Sequence, residues 1–521
     1  MAASRIAQPP KVQDAGFNDW MWRLWKAVNN VANYVGVDYI DNIISVQAFK
    51  SGGEVFDGSM DNTTTINAAH AAANAFSGPV ILVYPGNSTY RIDSASGTTA
   101  LARSDITVIG DGAKIMVNDA AANGITFSGV YLNATVRGFI IDATTIGAVG
   151  IKFLQYGNMK VQNVTISNMT KGIEVATYQY PLLQQVVIND CATAIEANYG
   201  DGLSILQSRL SGQDSGSYVA SSIGVKIIQG GGTTMVNTDI VRFDHGIDMQ
   251  PAAATSALWT FLLGVNCDTC NYGLYAKSGS GTIEGIEAVN SWFSTCTSYG
   301  IYCESVNGAT FTGCTIYNNA SWGMDFYNSL NMRVNGCTVG WNNTGNAADT
   351  GGIFLQGNTQ VYIDGNDITN ASNGWNGSGT QKIGVYVTGS AQEDIHITNN
   401  HFAGHSGLDV NWPTAPTTRG TVAGNTTDKS NGVTDAATIT PDLVFDTIHI
   451  TGTGTTITNI TSTQIPDKQL TIITDGTVTI NHGNNFKLAG AANFAGTAGS
   501  YLTLVVNPTN SKWSERARSI M

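Results

Sequence analysis

Apolar residues along most of this chain fall in short alternating runs broken by Gly and Asn, and from about residue 104 these runs become periodic. One phrase recurs: a Gly, a branched apolar residue, a residue that would face outward, then another apolar residue. It reads Gly124-Ile125-Thr126, Gly150-Ile151-Lys152, Gly172-Ile173-Glu174, Ala194-Ile195-Glu196, Gly224-Val225-Lys226 and Gly246-Ile247-Asp248. It continues as Gly273-Leu274-Tyr275, Gly300-Ile301-Tyr302, Gly323-Met324-Asp325, Gly352-Ile353-Phe354, Gly384-Val385-Tyr386 and Gly407-Leu408-Asp409. A second phrase precedes most copies, as in Asn163-Val164-Thr165-Ile166, Asn237-Thr238-Asp239-Ile240 and Gly336-Cys337-Thr338-Val339. Short strands between Gly and Asn turns, repeated every ~22 to 32 residues without a helical period, predict an all-β solenoid: a single-stranded parallel β-helix over residues 104–431. The leucine-rich consensus is absent. Equivalent residues of successive coils then form ladders at a spacing of about 4.8 Å, apolar ones inward and the rest outward.

The two ends depart from this period. Phe17, Met21, Leu24, Val28, Val31 and Val35 are spaced by alternating steps of four and three, the seam of a helix, so residues 1–45 are expected to form a short helical segment. Trp20, Trp22 and Trp25 lie largely off that seam and call for a second covering surface. Two readings stand: a helix folded back on its own domain, or an anchor buried in a larger assembly. Residues 46–103 read as the opening segment and cap of the solenoid, with a short helix over Asn67–Phe76 placed to cover its open end. Residues 432–521 change to Thr-rich alternation, as in Thr447-Ile448-His449-Ile450-Thr451 and Leu470-Thr471-Ile472-Ile473, which implies sheets with one wet face. Tyr501–Val506 and Asn510–Trp513 read as two strands joined by a turn. Sheets this small bury little alone, so the β-rich C-terminal tip is expected to intertwine with two other copies as a trimerisation element.

Composition sharpens the picture. With 59 Gly among 521 residues and only 12% charged residues, the surface is polar through amides and hydroxyls, while 42% hydrophobic residues suffice for a core. The net charge of -13 argues against nucleic acid, whose phosphates need clustered Lys and Arg, and against an anionic membrane surface. No run of 18 or more apolar residues exists, and Met1–Lys11 lacks the basic-then-apolar order of a secretory leader. The expectation is therefore no membrane insertion and synthesis in a cytoplasm. Seven cysteines, at 191, 267, 270, 296, 303, 314 and 337, read as reduced core residues. Cys267 and Cys270 form a C-x-x-C without a second pair at zinc-ligand spacing, so neither a metal nor a cofactor is expected.

The coil repeats, together with the opening segment Val46-Gln47-Ala48-Phe49-Lys50-Ser51-Gly52-Gly53 to Asp61-Asn62-Thr63-Thr64-Thr65-Ile66-Asn67-Ala68-Ala69, resemble the pectate-lyase-like β-helix proteins of phage tailspikes. Gln47 and Lys50-Ser51 depart from the small or acidic residues usual there. The run from Asn484 through Trp513 is similar to the distal β domains of phage tail fibres. The resemblance covers nearly the whole chain. It implies a right-handed β-helix and a homotrimer on a virion. The helical N-terminus would bind tail or adaptor proteins, and the β-helix would meet bacterial surface polysaccharide, as lipopolysaccharide, O-antigen or capsule. Enzymatic activity varies among such proteins and is not supplied by the fold.

Sugars bind where aromatic faces stack on their apolar sides and carboxylates or amides bond their hydroxyls. The outward row after the Gly supplies Glu174, Glu196, Lys226, Asp248, Tyr275, Tyr302, Asp325, Phe354, Tyr386 and Asp409, and residues two further on add Gln250, Lys277, Glu304, Tyr327 and Gln356. A track from Asp248 to Tyr327, with Phe354 and Trp292, is the expected substrate-binding surface. Glycoside cleavage uses two carboxyls, about 5 Å apart for retention or roughly 6.5–9.5 Å for inversion. Glu304 and Asp325, one coil apart and two residues offset, are expected at about 8 Å, which suits inversion and makes them the preferred catalytic pair. Glu174 and Glu196 stack at about 5 Å and suit retention, with an ion ladder to Lys226 as the alternative. Glu284 and Glu287 with Asp239, Asp268 and Trp292 form a competing set, and His245, placed in a turn, is a conceivable base for lyase chemistry. The expected function is a tailspike depolymerase that hydrolyses surface polysaccharide during adsorption. The rivals are a spike or fibre that only binds its receptor, a structural spacer, and, least favoured, a free-living lyase.

Overall fold

The computed structural model describes residues 42–129, 132–155, 157–213, 218–348, 350–370, 380–389, 392–413, 420–434, 436, 438–439, 441–451, 454, 456–460, 468–483, 485–507 and 512–520. They divide into two compact units, Met1–Phe243 and Asp244–Met521. The helix expected over residues 1–45, with Trp20, Trp22 and Trp25, lies outside the described residues apart from 42–45. There the expectation is corrected: Ile43–Ser45 is a strand, paired in parallel with Val80–Val83, because the two isoleucines join the first ladder. The helix expected over Asn67–Phe76 spans Thr63–Ala75 and packs on those two strands. It is held from below by His70, whose ring nitrogens meet the Tyr84 hydroxyl and the Thr99 carbonyl at 2.6 Å each. Burial drives the His70 pKa down to about 4, so the imidazole is neutral.

In the first unit, Leu82, Val108, Val136, Val161, Leu183, Ile205 and Met235 occupy successive parallel strands in register, and each is fully buried. In the second, Ile247, Leu274, Ile301, Met324, Ile353, Val385 and Val410 do the same. This is a single-stranded right-handed parallel β-helix: every coil buries one side of each strand, and outward residues alternate with the core. Among the described residues no helix is long and apolar enough to cross a membrane.

The recurring Gly is not a turn residue. A Cβ at Gly273 would stand 2.5 Å from the Gly300 carbonyl oxygen of the next coil, and one at Gly300 would meet Asn319 Nδ2 at 2.7 Å. The glycine is therefore set by close approach between coils. The corners are turned instead by residues in the left-handed region, among them Asn163, Asn237, Asn290, Asn318, Asn328 and Asn399, which tolerate it because their short amides bond locally.

Buried amides also form ladders of their own. Asn366, 2% exposed, accepts the Cys337 N–H and donates to the Val334 carbonyl and to Asn400 Oδ1, each at 2.8 Å. Asn400 repeats the pattern on Asn425 at 3.0 Å. Asn366→Ala is expected to strand the Cys337 N–H and the Val334 carbonyl, Asn400 Oδ1 keeping the Asn366 backbone N–H at 2.9 Å, and to lower stability by about 3 kcal/mol, read as a fall in the urea midpoint. An unchanged midpoint would mean that water replaces the ladder. The described cysteines are all free and buried, so the core reading holds for each of them.

After residue 431 the coils give way to separate sheets. Gly432–Thr434, Thr447–Thr451 and Gln469–Thr474 pair in parallel, then Tyr501–Asn507 and Lys512–Ser519 add antiparallel. Their apolar faces close on a core that includes Ile448, Ile450, Leu470, Ile472, Leu502, Leu504 and Trp513. The alternation read from the sequence is thus satisfied within one chain.

Candidate functional site

On the second unit, each coil presents three outward positions around its glycine: the residue before it, and those two and four places after. Across coils these become three rows. The first is His245, Tyr272 and Tyr299 in register. The second runs Asp248, Tyr275, Tyr302, Asp325, Phe354, Tyr386 and Asn411. The third runs Lys277, Glu304, Tyr327, Gln356 and Thr388. Because strand neighbours sit about 4.8 Å apart, rings on adjacent coils must stack. Tyr275 and Tyr302 lie parallel at 5.2 Å and Tyr272 and Tyr299 at 5.6 Å, while His245 stacks on Tyr275 at 4.2 Å. Beyond Asp325 the rings resume, Trp322 packing on Phe354 at 5.3 Å and on Tyr386 at 6.1 Å.

Between these two groups of rings sit the two preferred carboxyls, in opposite environments. Glu304 is reached by Lys277 Nζ at 2.8 Å and by the Tyr302 hydroxyl at 2.6 Å. Partial burial acts to raise its pKa, but those two donors outweigh it and hold the group below the usual carboxylate range. Burial pushes the Tyr302 phenol up, and its bond to Glu304 adds to the shift, so it remains a donor. Asp325 is flanked in its row by Tyr302 and Phe354, is 7% exposed, and leaves Oδ1 without a hydrogen-bond partner. Burial, joined by repulsion from Glu304, raises its pKa to about 7. One carboxyl is thus kept protonated near neutrality and its neighbour ionised, the arrangement from which acid and base roles are assigned.

Other expected residues fare differently. Asp248 is buried and occupied, receiving His245 Nδ1 at 3.0 Å and Gln250 Nε2 at 2.9 Å. His245 lies in the strand Phe243–Met249, not in a turn as expected. Tyr327 and Phe354 are half-buried on their rows. Asp409 is not on the aromatic row at all; Asn411 holds that place, two residues later. Asp409 is instead fully buried at the end of an amide relay in which Asn342 donates to Gln381, Gln381 donates to His405 Nε2 at 2.9 Å, and His405 Nδ1–H donates to Asp409 at 2.7 Å.

The competing set does not share one face. Glu284 and Glu287 stand on the strand Thr282–Val289, in register with Leu258 and Phe261 and beside exposed Trp259. Trp292 lies past the Asn290 corner, where its indole N–H donates to Ser294 and Ser294 donates to Asp268 Oδ1 at 3.0 Å. Asp239 belongs to the first unit, in register with Arg209. The stacked Glu174 and Glu196 form the ion ladder, with Lys152 at 3.0 Å from Glu174, Lys171 at 2.9 and 2.6 Å from the two carboxyls, and Lys226 at 3.7 Å from Glu196.

The row that sequence reasoning missed is the one before the glycine. His245-Gly246, Tyr272-Gly273, Tyr299-Gly300 and Trp322-Gly323 put an aromatic side chain at the same place in four consecutive repeats, a signal present in the sequence.

Residues 253–426 match the family model of a right-handed β-helix region. No curated protein matches the chain. Among solved structures, the surface protein and adhesin PfbA of Streptococcus pneumoniae is similar at 12% identity, with 71% of this chain and 100% of that one covered and a TM-score of 0.47. The pre-mature gene product 12 of bacteriophage phi29 is similar at 14% identity, over 91% of this chain and 66% of that one, with a TM-score of 0.46. A double mutant of the tailspike protein of E. coli bacteriophage HK620 is similar at 12% identity, over 85% and 81%, with a TM-score of 0.41. At such identities the likeness concerns the fold alone. The chain is a right-handed parallel β-helix protein.

Proposed function

We propose that the three rows of the second unit bind a bacterial surface polysaccharide, and that Asp325 and Glu304 hydrolyse a glycosidic bond within it. The observation that carries this reading is the split between the two carboxyls, one raised to about 7 and the other held low, between two groups of rings. Asp325 would give its proton to the leaving glycosidic oxygen as the bond to the anomeric carbon breaks. Glu304 would take a proton from the water that bonds to that carbon from the opposite face. Exchange of one proton with solvent resets the pair. A separation of about 8 Å, from one coil and two residues of offset, predicts inversion.

A second reading is favoured by the two donors already on Glu304: a face that recognises a glycan without cutting it. The homotrimer, the place on a virion tail and attachment of residues 1–45 to tail or adaptor proteins belong to the same proposal. They rest on the resemblance of the coil repeats and of Val46–Ala69 to phage tailspikes.

The test is incubation of the purified full chain with extracted host polysaccharides, following new reducing ends, absorbance of unsaturated uronates and the anomeric configuration of the first product. Reducing ends without that absorbance, and inverted products, are expected. A glycan that is bound but never shortened removes the hydrolase and leaves the receptor-binding reading.

A further inference from the structure

The first unit holds a groove of 570 Å³. That size lies within the roughly 300–1,000 Å³ of small-ligand sites. It forms where two outward rows run side by side up the coils. Ile140, Val187 and Arg209 belong to one, with Thr165 between the first two, and Asp142, Ser167 and Asn189 to the other. At the end of the second row the chain turns through Asn168 and Asp190, with φ of 59° and 53°, so both side chains join the lining. The third corner is Gly212, where a Cβ would lie 2.0 Å from the Arg242 carbonyl oxygen. That coil therefore adds no side chain at its corner.

The polar groups of the lining divide into one that is committed and several that remain open to solvent. Asp142 is committed, receiving Lys114 Nζ at 2.8 Å and Asn168 Nδ2 at 2.9 Å. The Asn189 amide, the Asp190 carboxylate, the Arg209 guanidinium and the Ser167 hydroxyl have no side-chain partner among the described residues. Donors and acceptors of four kinds thus converge on one concavity, hydrated and available to a ligand, beside Ile140, an exposed isoleucine at 42%.

We infer that this groove is a second saccharide-binding site, separate in sequence and in unit from the Asp325 face, and that it takes a short run of sugar rings. A pyranose offers hydroxyls that both donate and accept, for the amide, carboxylate and guanidinium, and a C–H face for the isoleucine. Nucleic acid is excluded by the two carboxylates beside the lone arginine. A cation is excluded because Asp142 already carries an ammonium group. The inference rests on the proposed function for its ligand class only. A long polymer held on two sites gains avidity from the second, even when each site alone is weak.

The probe is an array of purified bacterial capsular and O-antigen oligosaccharides, presented to the full chain. Arg209→Ala, Asp190→Ala and, to fill the groove with bulk, Val187→Trp are each expected to weaken binding of retained glycans by about tenfold or more, with the thermal midpoint unchanged. Tyr302→Ala on the other face is expected to leave residual binding that these groove variants abolish. Groove variants that bind as wild type does, or a Tyr302→Ala protein with no residual binding, overturn the second site. If Tyr302→Ala binds like wild type while the groove variants fail, the second site stands and the proposed function falls. An array that retains nothing of the wild type overturns both.

Discussion

Replacement of Asp325 by Asn is expected to lower the release of reducing ends by about 10²- to 10⁴-fold while leaving glycan binding within a few-fold of wild type. The asparagine keeps the shape and the neutral character of the protonated acid but has no proton to give, so only transition-state stabilisation is lost. Glu304→Gln should be comparably inactive, since the water would lose its proton acceptor. Lys277 would then lose its anion and Tyr302 its acceptor carboxylate. The wild-type rate should fall as pH rises through about 7, as the Asp325 proton is lost, and that descending limb should vanish in the residual activity of Asp325→Asn. Glu284→Gln and Glu287→Gln, on a different strand face, should keep full activity. Full cleavage by Asp325→Asn would remove this carboxyl from the chemistry, and loss of activity in Glu287→Gln would move the site to the strand Thr282–Val289.

The same substitution is expected to make the protein more stable in alkaline solution. The folded chain binds the Asp325 proton up to pH about 7, whereas an unfolded aspartate releases it near its ordinary value of 3.8. Between these values the native state holds the extra proton, so stability is greatest below pH 4 and declines as pH rises toward 7. The total decline from this group is on the order of 4 kcal/mol. Asparagine cannot ionise and escapes the loss. Asp325→Asn and wild type should therefore share a urea midpoint at pH 4, and the variant should exceed wild type at pH 8. Equal or lower stability of the variant at pH 8 would show that the carboxylate is accommodated by structure, and would weaken its assignment as an acid. A charged group held in an unfavourable place is the expected signature of function over stability.

Much of the fold was legible because its cause is local and repeated. A glycine that must admit the next coil's carbonyl, as at Gly273 and Gly300, recurs in most coils, with Ala194 in its place in one, and so shows as a period in the sequence. The ladders that follow, Tyr275 on Tyr302 and Glu304 on Tyr327, could be written down by aligning those glycines. The alignment failed at Asp409, where the chain approaches the end of the coils and Asn411 takes the row instead. It also could not separate Glu284 from Trp292, since the left-handed residue at Asn290 turns one strand phrase onto two faces.

What the sequence determined by itself is the coil period, the inward and outward sides and which residues share a row, because these depend on backbone spacing and on the size of one side chain. What only the tertiary structure decided is the state of the groups on those rows. Asp248 and Asp325 occupy equivalent places, yet one is met by His245 and Gln250 while the other keeps a buried oxygen without a partner. The partners of Asp248 lie three and two residues from it in the chain, where Asp325 has Trp322 and Tyr327 instead, so Asp325 is governed by burial and by Glu304 on the neighbouring coil. A carboxyl's charge is set by the desolvation and hydrogen bonds that such neighbours impose together, and no residue carries that information alone.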